Sequence, residues 1–263
     1  MKNKNLFVLI SLLLTMLACS TLTAPAAPTE QPSASPTLTP VPPTTLSQTL
    51  TISSSSFEEI VDAPPYTINA QIPFLQGSDD PRVQDFNSLL KLIAQSEIDS
   101  FRENTLAYAT NPPMTGGSFL GVEYALVGQR GEIWSIKYDI SFYSDGAAHP
   151  GHYSITLTYD LANGREILLD ELFAAGSNYL QVISDYCKSE LATRDIAFDG
   201  FSSGAEPLPE NYTRWNLSAD GLIITFDEYQ VAPYAAGPQV VTIPFSALQS
   251  VINLDGTLAL FTQ

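Results

Sequence analysis

Basic residues are scarce in this chain. Eleven Lys and Arg stand against 28 Asp and Glu, for a formal net charge of −17. A surface so acidic repels nucleic-acid phosphates and has no direct electrostatic hold on anionic lipid. It steers a cationic partner toward it instead. Histidine is rarer still: His149 and His152 are the only two. A zinc site needs three or four protein ligands, so this pair, even with Asp145 nearby, reads as part of a turn, and no metal is expected. None of the five lysines follows a glycine, which excludes a P-loop. The carboxylates are dispersed along the chain, no cofactor is expected, and the chain reads as a non-enzyme.

Serine in a nucleophile pattern occurs once, as Gly200-Phe201-Ser202-Ser203-Gly204. The G-x-S-x-G elbow requires a strand before the serine, a helix after it and a histidine downstream. Here a helix precedes, a polar loop with prolines follows, and both histidines lie upstream, so the match is fortuitous. The only cysteines are Cys19 and Cys187. Cys187 falls on the apolar stripe of a predicted helix, as a small buried residue would.

Residues 1–18 begin with Lys2 and Lys4 and continue into an apolar run from Leu6 to Leu17. That run is short for a membrane span and has the layout of a secretory signal peptide. It ends in Met16-Leu17-Ala18-Cys19, which resembles the lipobox of bacterial lipoproteins; the resemblance implies cleavage before Cys19 and a lipid on its thiol. The alternative is an ordinary signal peptide with a cysteine beside it by chance. Residues 19–56 follow as a Ser/Thr/Pro-rich tether in which Glu30 is the only charge. With no apolar face to bury, this stretch is expected to stay disordered. Its seven prolines stiffen it, and polyproline II geometry would carry it to roughly 110 Å.

The remaining residues alternate in the manner of strands. Trp134, Ile136, Tyr138, Ile140 and Phe142 interleave with Ser135, Lys137, Asp139 and Ser141; Tyr153, Ile155, Leu157 and Tyr159 do the same with Ser154, Thr156, Thr158 and Asp160. Period two predicts two strands, each with one buried and one wet face, around the turn at Asp145–His152. A first strand is predicted over 66–72, stopping at Pro73, and another over 119–127. Asp80-Pro81 opens a helix carrying Val83, Phe86, Leu90, Ile93, Ala94, Ile98 and Phe101 on one stripe. A short strand is predicted at 167–169, a second helix near 177–194, a hairpin at 215–226, a last strand at 240–243 and a short helix at 246–252. The class is α+β, a mostly antiparallel sheet with two main helices packed on it, preceded by the signal peptide and linker.

Two blocks carry a family resemblance. The first is Gly146-Ala147-Ala148-His149-Pro150, then Tyr159-Asp160, Asn163-Gly164 and Leu169-Asp170-Glu171-Leu172-Phe173. The second is Phe226-Asp227-Glu228-Tyr229-Gln230-Val231-Ala232-Pro233-Tyr234-Ala235-Ala236-Gly237, then Val241-Thr242-Ile243-Pro244. In this order they resemble the RsiV-like extracytoplasmic domain family, named after a bacterial anti-sigma factor whose outer domain binds lysozyme. Residues 66–142 are more weakly similar to the companion domain that usually precedes it. The resemblance implies a companion subdomain over 57–143 and the RsiV-like domain over 144–263. It further implies a membrane-anchored extracytoplasmic binding module for lysozyme, another cationic envelope protein or a cell-wall ligand. With no predicted spanning helix or cytoplasmic segment, the chain is not expected to be an anti-sigma factor itself. The alternatives are an enzyme acting on cell-wall glycan or peptide, or a structural envelope lipoprotein. The loops around Asp145, His149 and His152, and around 199–211, are the candidate contacts, because polar loops on a rigid sheet commonly carry recognition.

Overall fold

The computed structural model describes residues 49–109 and 112–261. The signal peptide, Cys19 and most of the expected tether lie outside them. No helix among the described residues is long and apolar enough to cross a membrane. The α+β expectation holds: the described residues form a six-stranded mixed sheet, a three-stranded antiparallel sheet and three α-helices.

The large sheet runs β1 (Thr51–Asp62), β2 (Pro65–Gln76), β3 (Ser118–Arg130), β4 (Ile133–Tyr143), β5 (Gly151–Asp160) and β6 (Arg165–Glu166), in that order. All pairs are antiparallel except β2–β3, which is parallel and connected through α1 (Pro81–Tyr108). Asp80 caps that helix by accepting the Arg82 N–H at 2.9 Å, with Pro81 in the first turn. The predicted stripe is buried from Val83 to Phe101, except that Ile93 is only half-buried. It packs on Tyr66, Ile68, Leu120, Val122 and the inward face of β4 and β5. The Phe86 and Tyr159 rings stack at 4.5 Å between centroids. The Tyr138 hydroxyl donates to the Leu90 carbonyl at 2.8 Å, which satisfies a buried phenol against the helix.

Several expectations are corrected. The tether was read through Ser56, but residues 51–56 belong to β1, an edge strand paired with β2 along its full length. An edge strand can be polar because pairing supplies its backbone partners; Ile52, Phe57 and Val61 pack against the core that α1 covers, and Glu59 pairs with Arg102 of that helix. β2 does not stop at Pro73. The β2–β3 ladder ends at Ala70, so a proline three residues on interrupts nothing on that side. The strand expected at 167–169 is displaced to Arg165–Glu166, and Leu169–Leu172 is a 3-10 turn. There Glu171 accepts the Leu168 N–H and pairs with Arg165 at 2.7 Å.

The second layer is built from α2 (Tyr179–Leu191), β7 (Trp215–Leu217), β8 (Gly221–Phe226), β9 (Gln239–Pro244) and α3 (Phe245–Leu248). Ile183, Cys187 and Leu191 of α2 join Leu222, Ile224, Phe226, Val241 and Ile243 in one core. Cys187 is fully buried, and loss of hydration pushes its thiol up to about 12, which keeps it protonated and inert. The expected division between residues 143 and 144 falls inside the large sheet. Since β5 pairs onto β4 and β6 onto β5, the changeover between the two cores lies near Leu161–Ile167.

The face of β4 and β5 expected to be wet is only half wet. At one end β7 lies on it: Ser135, Ser154, Thr158 and Asn216 are all buried. The Ser135 hydroxyl oxygen accepts the Asn216 side-chain amide and the Leu217 N–H, each at 2.9 Å, and lies 2.9 Å from the Thr158 hydroxyl. The junction between the two cores is therefore polar and hydrogen-bonded. That is why the strand residues facing it read as solvent positions in the sequence.

Candidate functional site

At the other end of the same face no described element covers the sheet. Register aligns Ile60, Thr67, Phe119 and Tyr143 in one row across it, and Glu58, Asn69, Gly121, Ser141 and His152 in the next. The second row carries small residues at its middle, where Gly121 packs so closely on Ser141 that a Cβ would stand 2.5 Å from the hydroxyl. The Phe119 and Tyr143 rings, stacked with centroids 6.1 Å apart, form one wall of the resulting trough. Glu123 and Asp139, paired across β3 and β4, form the other. Glu58, Glu123 and Asp139 are exposed, and the first two make no ion pair among the described residues. Lys137, the nearby cation, is held by Asp139 at 2.8 Å. The trough is therefore aromatic on one side and anionic on the other.

The two sequence blocks meet at its end. His152 Nδ1 lies 2.9 Å from Glu228 Oε1, and the His152 N–H donates to Oε2 of the same carboxylate at 3.3 Å. His149 stacks on Tyr234 with centroids 3.9 Å apart, and Tyr229 stacks on Tyr234 at 5.7 Å. The Tyr229 hydroxyl lies 3.3 Å from His149 Nε2, and the Tyr234 hydroxyl donates to the Pro150 carbonyl at 2.9 Å. Tyr229 is 55% exposed and holds a φ of +66°. A bulky residue in the left-handed region is strained, and such strain persists where neighbours over-determine it, characteristically at ligand contacts. Next to it, burial pushes the Asp227 carboxyl above its ordinary range, opposed by its Arg214 partner and by the Ser154 N–H it accepts. This pair anchors the loop to the sheet.

Of the predicted contact residues, His149 and His152 fall in this cluster. Asp145 does not act as a free contact. Its carboxylate accepts the N–H groups of Met114 and Thr115 and the Thr115 hydroxyl, each at 2.7 Å, and its own N–H donates to Ser118. It clamps one loop onto another. The 199–211 loop is a chain of 3-10 turns that braces the second block from behind, with Gln230 donating to the Gly204 and Asn211 carbonyls. Ser202 sits in one of these turns, not between a strand and a helix. Sequence reading missed Tyr229, Tyr234, Phe119 and Glu123. The only signal for the first two was the run of aromatics in an otherwise loop-like second block.

Residues 170–246 match the family described as "Protein of unknown function (DUF3298)". The chain is 28% identical over 173 residues to the peptidoglycan-N-acetylmuramic acid deacetylase PdaC of Bacillus subtilis (strain 168), covering 65% of this chain and 37% of that protein. It is 29% identical over 107 residues to the immunogenic protein MPT64 of Mycobacterium tuberculosis (strain ATCC 25618 / H37Rv), covering 41% of this chain and 47% of the relative. The chain thus spans less than half the length of these curated relatives. A crystal structure of a DUF3298 family member from Bacteroides fragilis superposes with a TM-score of 0.61 at 16% identity, over 82% of this chain and 97% of that one. That likeness is one of fold.

Proposed function

We propose that this protein is a binding module held outside the cytoplasm by a lipid on Cys19, and that its open sheet face recognises a cationic protein such as a lysozyme. The observation that carries the reading is the aromatic cluster at the end of the trough. Two blocks about 80 residues apart in sequence converge to expose a strained tyrosine against a second tyrosine and a histidine. Exposed, rigid aromatics beside carboxylates suit the arginine and lysine side chains of a basic partner, through ring faces and charge together. The net charge of −17 supports the same partner class. The deacetylase name of the Bacillus relative favours a second reading, catalysis on cell-wall glycan, and release of acetate from peptidoglycan by the purified protein would support it.

The experiment is lysozyme binding to wild type and to Tyr229→Gly. Glycine tolerates the positive φ, so the variant removes the ring without straining the backbone. Affinity is expected to fall about thirtyfold, the size of a typical hot-spot loss, with thermal stability not lowered. Unchanged affinity would remove the aromatic cluster from the interface. The anchor is tested separately: Cys19→Ser is expected to move the protein out of the detergent phase or leave its precursor uncleaved. Unchanged partitioning would contradict lipidation.

A further inference from the structure

On the opposite face of the large sheet, the buried stripe of α1 ends at Phe101, and none of residues 102–108 is buried. The last turns of the helix overhang the sheet and leave a cleft of about 300 Å³. Phe101, Leu120 and Phe142 give it apolar walls, and Glu97 and Tyr153 stand among them. A smaller pocket of about 90 Å³ continues it toward Ser118 and the Asp145 clamp. Such a volume lies at the lower end of ligand-site sizes and suits a small group.

The carboxylate at this cleft, Glu97, is only partly used. The Tyr153 hydroxyl donates to Glu97 Oε2, and Oε1 makes no hydrogen bond among the described residues. Glu97 makes no ion pair there either. Arg102, five residues further along α1, is committed to Glu59 and Asp99. Burial, with the Glu97 carboxylate beside it, holds the Tyr153 phenol well above its ordinary range, so the phenol stays a donor to that carboxylate. A carboxylate with a free oxygen at the edge of an apolar slot excludes anions and complements a cation carried on an aliphatic stem.

We propose that this cleft binds a primary alkylammonium group, its nitrogen on Glu97 and its methylenes along Phe101, Leu120 and Phe142. An ammonium on a flexible four-carbon stem, as in lysine, has this character. The site is on the other side of the sheet from the candidate binding surface, and stands whether or not that surface binds a cationic protein.

The test is a titration followed by backbone amide NMR shifts, with n-pentylamine, n-pentanol and Nα-acetyl-lysine methylamide as probes. Pentylamine is expected to shift resonances of 97–105, 120, 142 and 153, and to bind about tenfold more tightly than pentanol, the equivalent of one charge-assisted contact. Glu97→Gln is expected to remove that tenfold advantage. Thr105→Trp, which fills the cleft mouth, should abolish the shifts while keeping the wild-type melting temperature, and Asp220→Asn, exposed in the turn between β7 and β8, should leave amine binding unchanged. Binding of the lysine derivative as well would assign the site to a peptide-borne lysine, and binding of pentylamine alone to a free amine; either result upholds the proposal. Equal binding of pentylamine and pentanol, or a Glu97→Gln variant that binds pentylamine as wild type does, would overturn it.

Discussion

Ser135→Ala is expected to lower stability by about 3 kcal/mol, the cost of stranding two buried polar groups. For a chain of this size that corresponds to ~10 °C in melting temperature. The hydroxyl is fully buried and accepts both the Leu217 N–H and the Asn216 amide. Alanine leaves each without that acceptor in a place water does not reach. It also removes the 2.9 Å contact with Thr158. Since Leu217 and Asn216 belong to the second layer and Ser135 to the first, the loss falls on the junction between them. Chemical denaturation with separate probes for the two cores is the check. The variant should unfold earlier, and its two cores should begin to part company. A change under 0.5 kcal/mol, the range of ordinary surface substitutions, would mean that the junction rests on something else.

Gly204→Ala is expected to be as damaging, about 3 kcal/mol or more, at the upper end of overpacking costs. A Cβ at this position would stand 1.8 Å from the Gln230 carbonyl oxygen and 2.6 Å from its carbon. Both are backbone atoms that cannot swing aside. Gln230 follows Tyr229 directly, so the strain would reach the aromatic cluster and weaken partner binding as well as stability. Ser202→Ala, two residues earlier in the same G-x-S-x-G stretch, is expected to change neither. The contrast separates the two explanations of that stretch. If it were a nucleophile elbow the serine would matter most; as a brace behind the second block, the glycine does. Melting temperatures of the two variants decide between them.

Much of the architecture was legible because the physics that produced it is local. Alternation over 134–142 and 153–159 fixed two central strands. Asp80-Pro81 fixed the start of α1, and the stripe from Val83 to Phe101 fixed its buried side. β1 was not legible, because a serine-rich edge strand takes its order from pairing with β2 and shows almost no apolar period of its own. Ser135 and Thr158 were read as wet for a related reason. A polar strand position looks the same whether water or another strand satisfies it. The candidate surface was half legible: both blocks stood out, but contacts between residues 76 to 84 apart, such as His152 to Glu228 and Tyr234 to Pro150, are made by topology. Asp145 shows the reverse case. A loop aspartate suggests recognition, yet this one spends its carboxylate on its neighbours' N–H groups.

The central claim, that an acidic and aromatic sheet face recognises a cationic protein, is tested most directly by association kinetics. Lysozyme and an unrelated basic protein of similar charge are titrated against the protein at low and at physiological ionic strength. Exposed charges such as Glu58 and Glu123 steer encounter and are screened over about 8 Å at physiological salt, so the association rate should fall markedly for both proteins. Lysozyme should nevertheless stay bound with submicromolar affinity at physiological salt, dissociating slowly through contacts that Tyr229→Gly weakens. Weak binding of equal strength, vanishing for both proteins at physiological salt, would contradict the account and leave only nonspecific attraction between opposite charges.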